Sequence, residues 1–469
     1  MMALDITGNI TVLTYIILAL GVIIPLTKPL KLEKTRIPYS FAWLSTLLFS
    51  IVSYEAFYAL KTSDTLTMFN GLVTYNSFSA FMLMVSALAS ALVLMAIKGR
   101  AEEWPTAPAV YGLLPLIQFG LIFAMGINDA LLLLAIWLLV SVASYVIIAL
   151  PKDVDSVKGA IRYALMGSLA TLFLAVWVAL NIVATGSFTI LPYQIGLATL
   201  LGFGAFILSI GFKLGIAPFH WWLPDVYGKS NGYGVSIVAG IVKIGFIAIT
   251  ARVIYYISAG GFSTIVTVTL ASLAVVTMFW GNLAALTTRN LQRILAYSSI
   301  AHIGYILVGL TALSYAAGAH DLQLAMYSFA AIAIHVAAYS VSKAPLFAVM
   351  GEGHTELSDI KGLFHRDPVS SVSMAILLLS LLGLPPLLGF WGKLYMFTAI
   401  ASYSLPLLVI ALLNSGISAV YYGIAIRDML STDEGTAVYD APRKASLATA
   451  ATIIIVAGLF ASTLFHIMY

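Results

Sequence analysis

The chain contains no cysteine. Disulfides are thereby excluded, and so are cysteine-ligated iron–sulfur clusters, so any electron transfer must be the work of another polypeptide. Charge is nearly as scarce: only 9% of the 469 residues are Asp, Glu, Lys or Arg, against about 25% in soluble domains. Long polar connections are missing too, since no loop exceeds about 20 residues, which leaves no room for a soluble domain. The net charge of +4 comes mostly from short loops and does not indicate nucleic-acid binding. What is present is 61% hydrophobic, the composition of an all-α polytopic membrane protein.

Apolar runs separated by polar or Pro/Gly breaks predict fourteen spans, at about 9–27, 38–60, 72–97, 109–125, 130–150, 160–183, 198–217, 233–257, 263–286, 294–313, 324–350, 370–400, 403–426 and 445–468. The first run lacks a basic leading segment and a clear small-residue cleavage site, so it is expected to be a retained helix and not a secretory signal. Lys and Arg accumulate on the cytoplasmic side of short loops. Here seventeen basic residues lie in odd-numbered loops and their helix ends, and Lys61 alone in even-numbered ones. This predicts a single transmembrane domain, residues 1–469, with both termini on the outer side. Arg252 lies near the outer end of its helix, where it could snorkel. No long lateral helix is expected after the fourteenth span.

Lys213, Lys243, Lys343 and Lys393 each interrupt an otherwise apolar stretch. A charged side chain at bilayer depth costs roughly 2.5–3.5 kcal/mol on the insertion scale, so such a set marks a path for ions or protons. Two spans also carry helix breakers: Gly215-Ile216-Ala217-Pro218 in the seventh, and Gly383-Leu384-Pro385-Pro386 with Gly389 in the twelfth. Proline removes a backbone donor and clashes with the preceding turn, and such breaks persist in lipid only where protein or water satisfies the freed groups. The two breaks lie five helices apart. Five is odd, so two five-helix units in series, about 109–257 and 263–426, must run in opposite senses through the bilayer, a pattern that places a functional site at the broken helices.

Beside these residues stands a resemblance. The run Gly211-Phe212-Lys213-Leu214-Gly215-Ile216-Ala217-Pro218-Phe219-His220-Trp221-Trp222-Leu223-Pro224-Asp225 is similar to the signature of the antiporter-like membrane subunits of respiratory complex I, membrane-bound hydrogenases and Mrp-type sodium/proton antiporters. Lys243 follows in order, then Arg293-Ile294-Leu295-Ala296-Tyr297-Ser298-Ser299 with His302, His335 with Lys343-Ala344-Pro345, and Gly389-Phe390-Trp391-Gly392-Lys393. The resemblance implies fourteen helices with two inverted five-helix repeats, helices 7 and 12 broken, packed beside similar subunits of a hetero-oligomeric complex. It also implies that Lys213, Lys243 and Lys393 carry protons along a hydrated axis at mid-membrane.

The chemistry suits these residue types, because desolvation lowers a lysine pKa by several units and a nearby charge then decides whether the proton stays. His335, Tyr339 and Lys343 recur at four-residue spacing on one helical stripe, a candidate relay, as do Ser298, Ser299 and His302. His220 and Asp225, just past the first break, are candidates for admitting protons. One departure bears on all this: the family places a glutamate on the fifth helix opposite the lysine of the seventh, and the alignment through Trp137, Ser144 and Tyr145 sets Leu138 there. No acid occurs between Leu131 and Leu150. Asp129, at the outer start of the same helix, and Glu55, toward the outer end of the second span, are the candidate substitutes.

The expected function is therefore a proton- or cation-translocating subunit of a multisubunit respiratory-type complex in a prokaryotic cell membrane, coupled to redox chemistry in other subunits. It has no redox centre, metal or cofactor of its own. The alternatives are an Mrp-type antiporter subunit, driven by ion gradients, and a non-conducting scaffold, which Leu138 would suit.

Overall fold

The computed structural model describes residues 2–30, 35–61, 63–99, 104, 106–190, 196–352 and 355–469. Of the basic loop residues, Lys31, Lys34 and Arg100 lie outside them. The chain is a bundle of helices in the order α1 (Met2–Leu26), α2 (Ile37–Ala59), a hairpin of β1 (Leu66–Met68) and β2 (Val73–Tyr75), α3 (Ser77–Ile97), α4 (Ala107–Gly126), α5 (Ala130–Ala149), α6 (Val154–Thr185) and α7 (Leu197–Leu214). It continues through α8 (Trp222–Lys229), α9 (Gly232–Ile237), α10 (Lys243–Ile257), α11 (Ser263–Ala285), α12 (Leu291–Gly318), α13 (Leu322–Val349), α14 (Leu363–Arg366) and α15 (Pro368–Leu382). The last elements are α16 (Leu388–Ala401), α17 (Leu405–Leu430), α18 (Ala441–Leu459) and α19 (Ala461–Met468).

Among the described residues, twelve helical runs are long and apolar enough to cross a membrane, which makes this a multi-pass membrane protein. One of them, Gly232–Ala285, counts 54 residues. At 1.5 Å per residue it would extend about 80 Å, far beyond a hydrocarbon core of about 30 Å. Gly261, at φ +99°, breaks it.

Two local expectations are corrected. The third span does not begin at 72, because Val73–Tyr75 pairs with Leu66–Met68 as a strand. Asn76 then starts the helix with a reciprocal cap: its side chain accepts from Ser79 N at 3.0 Å while its own N–H donates to Ser79 Oγ at 2.8 Å. That arrangement satisfies two of the amides that every helix start leaves without intrahelical partners. Arg252 does not snorkel. It donates to Asn128 Oδ1 at 2.6 Å and to Met125 O at 3.3 Å, both across on the α4–α5 corner.

The helices are sorted by their surfaces. α12 and α13 are buried almost all round, whereas α6 leaves Leu165, Leu169, Leu172 and Val176 exposed at helical spacing, the lipid-facing stripe of an outer helix. Close approach at the centre depends on small residues, as is usual between membrane helices. A Cβ on Gly304 of α12 would come 2.8 Å from Met278 N of α11, so no larger residue fits there.

Candidate functional site

Both predicted breaks are present and built alike. α7 ends at Gly215 (φ +78°, ψ +44°) and α15 at Gly383 (φ +94°, ψ +44°), left-handed conformations that glycine adopts without penalty. In each, two successive amides return to one carbonyl: Gly215 N and Ile216 N to Gly211 O at 3.1 and 3.0 Å, Gly383 N and Leu384 N to Leu379 O at 3.0 Å each. Amides just past the breaks are satisfied by side chains, Ala217 N by Thr277 Oγ1 at 3.1 Å and Gly389 N by Ser380 Oγ at 3.2 Å.

All four lysines are buried, none more than 4% exposed. Lys213, in the last turn of α7, donates to Ser141 Oγ of α5 at 2.6 Å. Its ammonium also lies 4.5 Å from the ring centre of Phe246, 5.0 Å from Tyr145, 5.3 Å from Tyr163 and 5.8 Å from Trp137. Four aromatic faces and one hydroxyl thus occupy the place where the resemblance implies a carboxylate. Leu138 is not there. It is 49% exposed and shares an outward stripe with Leu131, Val142 and Val146, while Trp137, Ser141 and Ser144 form the inward face of the same helix. Asp129 is not a substitute either, since it caps α5 by accepting from Leu132 N at 2.7 Å.

Lys243 follows a π-helical turn, Val238–Val242. Its Nζ is buried, has no hydrogen-bond partner among the described residues, and sits 5.1 Å from the ring centre of Tyr227. The ammoniums of Lys243 and Lys343 are electrostatic neighbours, and His302 senses both of them and Lys393.

In the second half, the expected stripe on α13 is buried, but its members bond across to α12 and not along their own helix. His335 Nε2 meets His302 Nδ1 at 3.1 Å. Lys343 donates to Leu295 O at 2.7 Å and to Ser298 Oγ, and Ser298 Oγ also accepts from Tyr422 Oη at 2.9 Å. The Tyr339 hydroxyl lies beside Ser299 of α12, and its ring centre is 5.6 Å from that of His302. Two polar stripes, one per helix, therefore form a seam between α12 and α13.

Lys393 closes the line at the second break. Its Nζ donates to Leu382 O at 2.8 Å and to Ser415 Oγ at 2.9 Å, and sits 4.6 Å from the ring centre of Tyr305. Leu382 is the last residue of α15, whose carbonyls lose their helical partners at Gly383; a helix C-terminus also carries partial negative charge that favours a cation.

Sequence reasoning missed a neighbouring cluster. Asn282 donates to Tyr305 Oη at 3.1 Å and to Asn414 O at 3.0 Å, and accepts from Tyr421 Oη at 2.9 Å. An asparagine in the middle of an apolar run is the available signal, since membrane helices pair such groups across an interface; Asn282 and Asn414 both qualify.

His220 is buried, its ring edge-on to Trp280 at 4.9 Å. Asp225 holds three cations, Arg162 at 2.5 Å, Lys229 at 3.2 Å and Arg293 at 3.9 Å, and so ties α6, α8 and α12 together. Because these groups are 38–52% exposed, Asp225→Asn should lower stability by no more than about 1 kcal/mol. Thermal unfolding at low and high salt checks this, with the difference from the parent disappearing at high salt. Among the described residues, no three His, Cys, Asp or Glu side chains gather to hold a metal ion.

Residues 128–418 match the family described as NADH:quinone oxidoreductase/Mrp antiporter, TM. NADH-quinone oxidoreductase subunit N 2 of Roseiflexus castenholzii is 31% identical over 416 residues, covering 83% of this chain and 82% of the relative. A chain of respiratory complex I from Thermus thermophilus aligns with a TM-score of 0.78 at 27% identity, over 96% of this chain and 98% of its own length. A chain of the Mrp complex from a Dietzia species gives a TM-score of 0.84 at 18% identity, over 99% and 96%, a likeness of fold alone. The chain belongs to the NADH:quinone oxidoreductase/Mrp antiporter transmembrane family.

Proposed function

We propose that this chain is an antiporter-like, proton-translocating subunit of a multisubunit respiratory complex in a prokaryotic cell membrane, driven by redox chemistry in other subunits of that complex. The observation that carries this reading is the line of four buried amines, one at each helix break and two between, with no carboxylate paired to any of them among the described residues. Burying an amine in an apolar bundle is costly, and a chain that had only to fold would place methionine or leucine there. The proposed carriers are Lys213, Lys243, Lys343 and Lys393, with His302, His335 and Tyr339 along the seam, and His220 and Asp225 nearest the inner surface.

The matching caps at Gly215 and Gly383 support two repeats of opposite orientation, about 109–257 and 263–426, within fourteen spans. The basic odd-numbered loops support an inner location for those loops and an outer location for both termini. Similar subunits would pack alongside, as in the complexes to which the chain is similar.

In the first half, the aromatic box takes over from the missing carboxylate. Ring faces stabilise an ammonium by about 0.5–2 kcal/mol, less than a buried carboxylate would, so Lys213 can release its proton without breaking an ion pair. The test is Lys213→Ala and Lys393→Ala in the assembled complex, with protons translocated per electron as the readout. Either substitution should reduce that ratio by at least half. An unchanged ratio in both variants, with the complex intact, would leave the chain as a scaffold.

A further inference from the structure

A cavity of about 440 Å³ opens at the end of the bundle away from the basic loops, between the β1–β2 hairpin, the α4–α5 corner and the start of α13. Among the described residues, Arg252 is the one charged side chain that lines it. A guanidinium keeps its proton in any protein setting, so this charge is permanent. Its hydrogen-bond acceptors, Asn128 Oδ1, Met125 O and the Tyr256 hydroxyl, are all neutral. No carboxylate pairs with it among the described residues, and the titratable groups that act on it are the hydroxyls of Tyr75 and Tyr256. A guanidinium has five N–H donors, so capacity remains for an acceptor from outside the chain.

The rest of the cavity is two-sided. Thr74, Asn76 and Asn128 give it polar walls, and Leu322, Met326 and Phe329 an apolar one. The apolar wall runs outward into exposed surface, with Leu322 64% and Met326 40% accessible. A permanent single positive charge without a counter-ion, hydroxyl and amide groups beside it, and an apolar wall open to the bilayer together suit an amphiphile with one negative charge.

We propose that this cavity binds an anionic phospholipid of the adjoining leaflet, its phosphate against Arg252 and its acyl chains along Leu322, Met326 and Phe329. Charge-assisted, forked contacts from arginine to phosphate are strong and geometrically specific. A zwitterionic phospholipid is disfavoured because its ammonium would find no carboxylate in the cavity.

The experiment uses the full chain, purified in mild detergent, stripped of lipid and then offered phosphatidylglycerol or phosphatidylcholine, with retained lipid counted by native mass spectrometry. One phosphatidylglycerol should be retained per chain, in preference to phosphatidylcholine by about tenfold. Arg252→Gln should abolish the preference and Arg252→Lys keep part of it. Met326→Trp, which narrows the apolar wall without removing a bond of Arg252, should weaken retention in a chain that remains folded. Equal retention of the two lipids by the parent chain, or a preference that survives both Arg252→Gln and Met326→Trp, would overturn the proposal. Displacement of phosphatidylglycerol by inorganic phosphate would also overturn it, assigning the cavity to a free anion instead.

Discussion

Lys243→Met should leave the chain folded and assembled while reducing proton translocation by about tenfold or more. The two halves of this expectation have separate causes. Lys243 is 2% exposed and its Nζ makes no hydrogen bond, so methionine of similar length removes no bond and relieves the burial of an amine. Replacing an unpaired buried polar group by an apolar one of like shape is neutral or stabilising; the cation–ring contact forfeited is that with Tyr227 at 5.1 Å. Function is another matter. Lys243 is the proposed carrier between Lys213 and the α12–α13 seam, and it neighbours both Lys343 and His302 on that seam. In the proposed path, no amine then stands between Lys213 and the seam. Thermal unfolding of the variant should match or exceed the parent while the proton-to-electron ratio falls. A folded Lys243→Met complex that pumps normally would sink the idea that protons pass through the centre of this chain.

Gly392→Leu should clearly destabilise the packing beside the second break. Gly392 lies in α16 one residue before Lys393, where a Cβ would come 2.6 Å from His335 Cα and 2.9 Å from its N. Both are backbone atoms of α13 and have no rotamer to change. Overpacking of this kind costs typically 1–3 kcal/mol and occasionally more, and with rigid helix backbone on both sides about 3 kcal/mol is expected. Gly416→Leu is the control, because nothing lies within 4 Å of a Cβ there and glycine is the poorer helix former by about 1 kcal/mol. Unfolding in detergent should show a clear loss for the first variant and none for the second. Equal midpoints would mean that α16 is not seated on α13 as described.

What could be read from the sequence was what is rare in it. An amine in an apolar run, or a Gly-Pro break in a helix, stands out from its surroundings; the four lysines are buried and both breaks are present. What could not be read was which way a uniformly apolar helix faces. α5 is hydrophobic around its whole circumference, so no periodic signal separates Leu138 and Val142 on the outside from Trp137 and Ser141 on the inside. Aligning Leu138 with a glutamate position established identity at a site but not its direction, and the ring-and-hydroxyl setting of Lys213 went unseen. The α13 stripe posed a related difficulty: four-residue spacing places His335, Tyr339 and Lys343 on one face but does not say that their partners lie on α12. Asn282 and Asn414 were legible one at a time, though 132 residues separate them along the chain.

The hold on Lys393 differs in kind from that on Lys213. Ser141 can be mutated away, whereas the oxygen that receives Lys393 belongs to the main chain at Leu382. Every amino acid supplies that oxygen, so sequence drift at position 382 leaves the electrostatics of the second-half amine nearly untouched, and only a change that rewinds the Gly383–Pro386 gap into continuous helix could withdraw it. The gap is thus a ligand encoded by shape, and over evolution it can be lost by healing but not by substitution at the residue that makes the contact.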